Sequence, residues 1–226
     1  MNRNAARIWQ KPLPDWRQRL TACVRKAAAS RTTATRVFFR ADDVGVPGDR
    51  FGEMIGIFIR HDTPLNLAVV PAWLTATRWR ALKEAGRKAP HLWCWHQHGW
   101  RHHNHESRGT KKQEFGPARS WGPLRRDLDR GRHRLETLLG PSFYPVFTPP
   151  WNRCSLQTLR YLHQAGYRAV SRSRASRPAC PRGLTDAAVD VDLHTRKDPT
   201  PAAGWDLFLE SLACGLQRPV CGLMLH

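Results

Sequence analysis

The sequence predicts an α/β fold with a mostly parallel sheet, either open or closed into a barrel. Three observations carry this. Short β-rich runs alternate with segments of helical periodicity. About seven such runs fall within ~190 residues, which suits a barrel somewhat smaller than the eight-stranded kind. The polar residues able to do chemistry cluster just after the runs, at the strand ends where such folds place their sites.

The chain has 226 residues and 41% hydrophobic residues, enough for one globular core and unlike a disordered composition. Residues 1–35 read as an N-terminal arm, and residues 36–226 as the barrel domain. Within the arm, Asp15 to Ala29 forms a basic amphipathic helix, with Trp16, Leu20, Cys23 and Val24 along one face. The strand runs are Arg36–Arg40, Leu65–Val70, His91–Trp95, Tyr144–Thr148, Arg168–Ser171, Ala188–Leu193 and Val220–Leu225. Pro145 marks the fourth as an edge or an irregular strand. Helical segments span Trp73–Ala89, Trp121–Leu139, Ser155–Gln164 and Trp205–Leu216. Ser155 is a fitting N-cap for the third of these, and Gly166 a fitting end.

No run of apolar residues is long enough to cross a membrane. The polar start MNRNAARIWQ lacks the apolar core of a secretory signal, so a cytoplasmic location is expected. Six cysteines show no C-x-x-C spacing, which argues against a zinc finger, and reduced thiols are expected. The formal charge is +19, most of the excess being arginine. Such a field can draw in nucleic acid or an acidic glycan, but the basic residues are dispersed and form no long run.

The densest chemical signal is Trp95–Glu106, which holds five of the eleven histidines. His98 and His102 are four residues apart and share a face if the segment turns helically, so they can grip one divalent ion. Asp42 and Asp43 follow the first run and supply carboxylates. Adjacent acids on a strand take different directions, so one can ligate a metal while the other accepts a proton from water. His226 closes the last run and could act as a general acid. The competing reading is a catalytically inactive barrel that binds nucleic acid or an acidic glycan through its basic surface.

In this order and spacing, Asp42-Asp43, His98-x-x-x-His102, Pro149-Pro150-Trp151-Asn152 and the terminal Leu223-Met224-Leu225-His226 resemble the motifs of the polysaccharide deacetylases. These are the NodB-like, metal-dependent de-N-acetylases of the carbohydrate esterase family 4 superfamily. The chain looks like a divergent subgroup, through His98-Gly-Trp-Arg-His-His-Asn-His and Lys112-Gln-Glu-Phe-Gly. The resemblance runs from Arg36 to His226. It implies a distorted seven-stranded (β/α) barrel and hydrolysis of an acetamide on a small glycan or other N-acylated substrate, giving acetate and a free amine. It implies one divalent ion, commonly zinc, on Asp43, His98 and His102. By the same resemblance Asp42 is the general base, His226 the acid toward the departing amine, and Arg153 or Arg40 the arginine that orients the base. Pro150, Trp151, Asn152 and Glu114 are expected to contact substrate, with Lys112 nearby. Asp190, Asp192, His194 and Trp205 are candidates for a further motif. Members of the family continue past the final histidine, so a barrel incomplete at its C-terminus is expected if the chain ends there.

Overall fold

The computed structural model describes residues 6–10, 13–194, 196 and 198–226, so parts of the expected N-terminal arm (residues 1–5, 11 and 12) lie outside the described residues. Along the chain come α1 (Arg7–Gln10), α2 (Trp16–Ala29), β1 (Arg36–Val44), α3 (Asp49–Arg60), β2 (Leu65–Val69), α4 (Ala76–Ala85) and β3 (Trp93–His98). Then follow α5 (Trp121–Leu139), β4 (Phe143–Thr148), α6 (Leu156–Gln164), β5 (Ala169–Val170), β6 (Thr185–Asp186), β7 (Val191–Asp192), α7 (Pro201–Leu216) and β8 (Val220–Leu225). Among the described residues no helix is long and apolar enough to cross a membrane, and none of the six cysteines forms a disulfide.

The chain divides into two compact units, one of Met1–Arg40 with Val189–His226 and one of Ala41–Ala188. In the second unit the strands run in the order β6-β5-β4-β3-β2, followed by the end of β1. The pairs from β2 to β6 are parallel, as strands joined through helices require. Strand β2 is buried at Leu65, Leu67, Ala68 and Val69, the near-continuous apolar run of a strand covered on both faces. Pro145 sits in β4, which lies between β3 and β5, so the strand is interior and irregular rather than an edge. The register opposite β3 slips between Trp95 and Gln97 to absorb it.

Helix α5 buries Leu124, Leu128, Gly131, Leu135 and Leu139, a stripe at three- and four-residue spacing. A Cβ at Gly131 would lie 2.2 Å from Gln97 Nε2, so only glycine lets the helix come this close to β3. Gln97 uses that approach: its Nε2 donates to Gly99 O (3.0 Å) and Leu128 O (3.3 Å), and Tyr167 donates its hydroxyl to Gln97 Oε1. Leu124 and Leu128 join Phe115, Phe147, Leu159, Leu162 and Tyr167 in one core cluster. Helix α6 is capped as expected, with Ser155 Oγ accepting from Thr158 N at 3.1 Å.

In the first unit, the start of β1, β8 and β7 are consecutive in the strand order, and β7 pairs with β8 in parallel. Its core gathers Ile8, Val191, Trp205, Phe208, Leu212, Cys221 and Leu223. Trp16, Leu20 and Cys23 of α2 pack against that cluster, while Val24 is 45% exposed and lies off the expected face.

Among the described residues there are eight strands where seven were expected. The additional one, β6, is two residues long and carries no apolar run, so periodicity could not flag it. It exists because Thr185 N and Ala187 N find the carbonyls of Arg168 (3.3 Å) and Val170 (2.8 Å). Helix α3 was not anticipated either, and the expected long helix after β2 is shorter, beginning only after the Thr75 cap. Strands β1 and β3 run further than their apolar cores suggest, so Asp42, Asp43, His96 and His98 lie within strand ends rather than after them.

Candidate metal centre

Asp43 is the penultimate residue of β1, and His98 the last residue of β3. Asp43 Oδ1 lies 3.2 Å from His98 Nε2 and 3.3 Å from His102 Nε2. The three ligand atoms all fall within 4.8 Å of one another. Ligand atoms on a tetrahedral ion with bonds of about 2.1 Å sit about 3.4 Å apart, so the spacing matches a set that shares one small dication.

The tautomer of His98 also fits. Its Nδ1 is 2.9 Å from the Thr148 carbonyl, which can only accept, so this nitrogen carries the proton. Nε2 then presents its lone pair toward Asp43, as metal-binding imidazoles held by a backbone carbonyl do. His98 is 1% exposed, and its Nε2 makes no hydrogen bond of good geometry among the described residues. A donor set with a buried imidazole at its centre suits a cation better than it suits solvent.

The route by which His102 arrives differs from the expectation. The segment after His98 is not helical. Gly99 has φ +58° and His102 has φ +58°, so a left-handed turn reverses the chain and folds the second imidazole back over the first. The ring centroids end 5.1 Å apart. The turn is pinned by Gly99 N donating to Thr148 O (3.2 Å) and Ala72 N donating to Trp100 O (3.0 Å). A Cβ at Gly99 would meet Glu114 Oε2 at 2.1 Å and Pro150 Cγ at 2.6 Å. Gly99→Ala is therefore expected to destabilise the fold by about 1–3 kcal/mol through strain and overpacking, read as a lower denaturant midpoint at unchanged slope.

The other histidines of the cluster do not join the site. His96 is 1% exposed and pairs its Nε2 with Thr148 Oγ1 at 2.9 Å. His103 and His105 pack on each other, with ring centroids 4.9 Å apart. Thr148 thus serves both buried histidines, one through its hydroxyl and one through its carbonyl. Sequence reading missed it, since a threonine before two prolines carries no signal of that role.

Around His102 stand Trp73, with ring centroids 6.1 Å away, and Trp151, at 4.3 Å. Lys112 Nζ lies 6.0 Å from the Trp151 ring centroid. Trp151 and Asn152 both have positive φ, 55° and 60°, a conformation that costs free energy in non-glycine residues and concentrates at functional sites. Pro150, expected to touch substrate, is instead buried against the Gly99 turn.

Glu114 also departs from expectation. It is 1% exposed and cannot lie on an open substrate-binding surface. Its carboxylate accepts the backbone N–H groups of Trp100 (3.1 Å), Arg101 (2.7 Å) and His102 (3.2 Å). Burial pushes its carboxyl above the usual carboxylate range, and the amides of Arg101 and Trp100 pull it back only in part.

Asp42 is buried at 7% exposure, one residue before Asp43. Arg153 follows the Pro150–Asn152 turn and is half-buried. In the first unit, Arg40 is fully buried and donates to Met224 Sδ at 2.9 Å. His226 lies beside His194 in that unit, with ring centroids 4.4 Å apart. Asp192 Oδ1 accepts from His194 N at 2.8 Å, and Asp190 Oδ2 from Gly222 N at 3.1 Å.

In this parallel α/β fold the ends of β1 and β3, with the turn after β3, bring one carboxylate and two imidazoles together. No family model matches the chain, and no curated protein matches it. Solved structures do. A CE4 esterase from Streptococcus mutans superposes with a TM-score of 0.58 at 14% identity, over 90% of this chain and 78% of that one. A polysaccharide deacetylase from Bacillus cereus superposes with a TM-score of 0.53 at 13% identity, over 85% of this chain and 79% of that one. A structure from Mycobacterium smegmatis, also described as a polysaccharide deacetylase, gives 0.54 at 16% identity over 77% of this chain. The match takes in 63% of that last structure, less than two thirds of its length. The chain has the NodB-like fold of the polysaccharide deacetylases, the fold expected from its motifs, with eight strands among the described residues in place of seven.

Proposed function

We propose that this protein is a metal-dependent hydrolase that removes an acetyl or similar acyl group from the nitrogen of an N-acylated sugar or related amide. The observation that carries the reading is the convergence of Asp43, His98 and His102, with His98 held by Thr148 so that Nε2 faces the carboxylate. It gains support from the likeness in fold to the deacetylases named above.

A divalent ion, with zinc the first choice for one carboxylate and two imidazoles, would supply Lewis acidity toward the amide carbonyl and acidify water beside it. The chain's own groups have distinct tasks. Asp43, His98 and His102 would hold that ion. The Thr148 carbonyl keeps the His98 proton on Nδ1, so Nε2 stays available as a ligand. The carboxylate of Asp42 takes the proton that the attacking water gives up. Trp73 and Trp151 flank His102 and offer apolar faces of the kind that exclude water and stack on a sugar ring.

The test is release of acetate from a panel of N-acetylated sugars by protein loaded in turn with zinc, cobalt and manganese. Acetate release that depends on the added ion, and vanishes with a chelator, is the expected result. No release from any member of a panel that includes monosaccharides, oligomers and non-sugar acetamides would remove the deacetylase reading.

A further inference from the structure

We propose that Glu114 is a positioning residue for the metal centre: its buried carboxylate binds three successive backbone amides and thereby holds His102 in the left-handed turn that aims Nε2 at Asp43. The inference rests on the metal-centre reading above and extends it to a residue outside the ligand set.

Trp100, Arg101 and His102 all donate their backbone N–H groups to the two oxygens of this one side chain, Oε1 taking one and Oε2 taking two. Successive amides that converge on one point form a concave anion site, and here the anion is supplied by the protein. A turn of this shape cannot satisfy those amides by helix or sheet bonding, and at 1% exposure of the acceptor water does not compete for it. The amide of His102 is one of the three, so the carboxylate acts directly on the backbone that carries the ligand. Positive φ at His102 is disfavoured for a residue with a Cβ, and an external restraint must hold it.

Glu114 is itself anchored. Phe115 O accepts from Ser155 N (2.9 Å) and from Thr158 Oγ1 (3.1 Å), and Arg119 donates to Glu114 O (3.4 Å). On its other side His105 N donates to Gln113 O at 3.0 Å. Gly99 leaves the space that Oε2 fills, since a Cβ there would overlap it at 2.1 Å. Glycine, glutamate and the left-handed turn therefore form one device, in which each part requires the others.

Glu114→Gln separates this role from bulk. The side chain keeps its size but loses one acceptor oxygen and points an NH2 group at backbone donors. Cobalt(II) titrated into the wild-type chain and into the variant, followed by visible absorption, is the measurement. The expected result is a dissociation constant raised about 10–100-fold with an altered cobalt spectrum, while cooperative unfolding is kept. Glu114→Asp, which restores the charge but shortens the reach, should recover part of the affinity. Wild-type affinity and spectrum in Glu114→Gln would overturn the inference and leave the metal centre standing. A wild-type chain that binds no cobalt would instead overturn the metal centre, and this role with it. Amide hydrogen exchange of the wild type needs no variant. Slow exchange at Trp100, Arg101 and His102 together is expected, and fast exchange at all three overturns the inference even if the variants fail to fold.

Discussion

His98→Ala is expected to abolish stoichiometric binding of a divalent ion. The substitution removes the ligand whose orientation is best defined, an imidazole fixed at Nδ1 by the Thr148 carbonyl and aimed at Asp43 across 3.2 Å. Loss of a group that merely supports a ligand typically weakens affinity 10–100-fold, and loss of the ligand itself should exceed about 100-fold. Removing the ring also takes one of the two donors from the Thr148 carbonyl, which keeps Gly99 N, so the loss of stability should stay near the ~1 kcal/mol of one hydrogen bond plus that of the emptied space. Two readings of the experiment are therefore separable. Metal content by elemental analysis reports the site. Thermal unfolding with and without added zinc reports linkage: a metal at about 100 times its dissociation constant should stabilise the wild type by ~2.7 kcal/mol and the variant hardly at all. Equal metal content in wild type and variant would remove the proposed centre.

Asp42→Asn is expected to keep the metal and lose turnover. The amide preserves the shape of the side chain but cannot accept the proton that water gives up. General-base catalysis typically contributes 10²–10⁴-fold, and the fall in kcat should lie in that range. The substrate for the assay is whichever acetamide the acetate-release panel identifies, and metal content is measured on the same preparation. Unchanged kcat would refute the role of Asp42. Loss of metal with loss of activity would exchange the roles of the two aspartates and make Asp43 the proton acceptor. The pairing of the two variants matters, because His98→Ala alone cannot tell a structural ion from one that serves chemistry.

Several features were legible in the chain as written. The alternation of apolar runs and helical periods determined a parallel α/β fold, because a strand covered on both faces must be apolar over most of its length, as Leu65–Val69 is at every position but Asn66. The cap at Ser155 was legible because it is local chemistry between a hydroxyl and an amide three residues on. The donor set was legible through residue type and strand-end placement. Tertiary structure decided the rest. The two imidazoles share a site through a left-handed turn and not through helical spacing, because Glu114 and Pro150 leave no room for a side chain at Gly99. Strand β6 exists only because the carbonyls of β5 are there to receive its amides. In the sequence Glu114 reads as a substrate contact, since nothing in Lys112-Gln-Glu-Phe-Gly says which side of the loop faces inward. Its burial depends on three amides that lie twelve to fourteen residues away in sequence. What the sequence by itself determined was the set of groups able to hold a metal. Which of them converge, and what holds them there, follows from backbone hydrogen bonds made across that distance, and no local pattern encodes those.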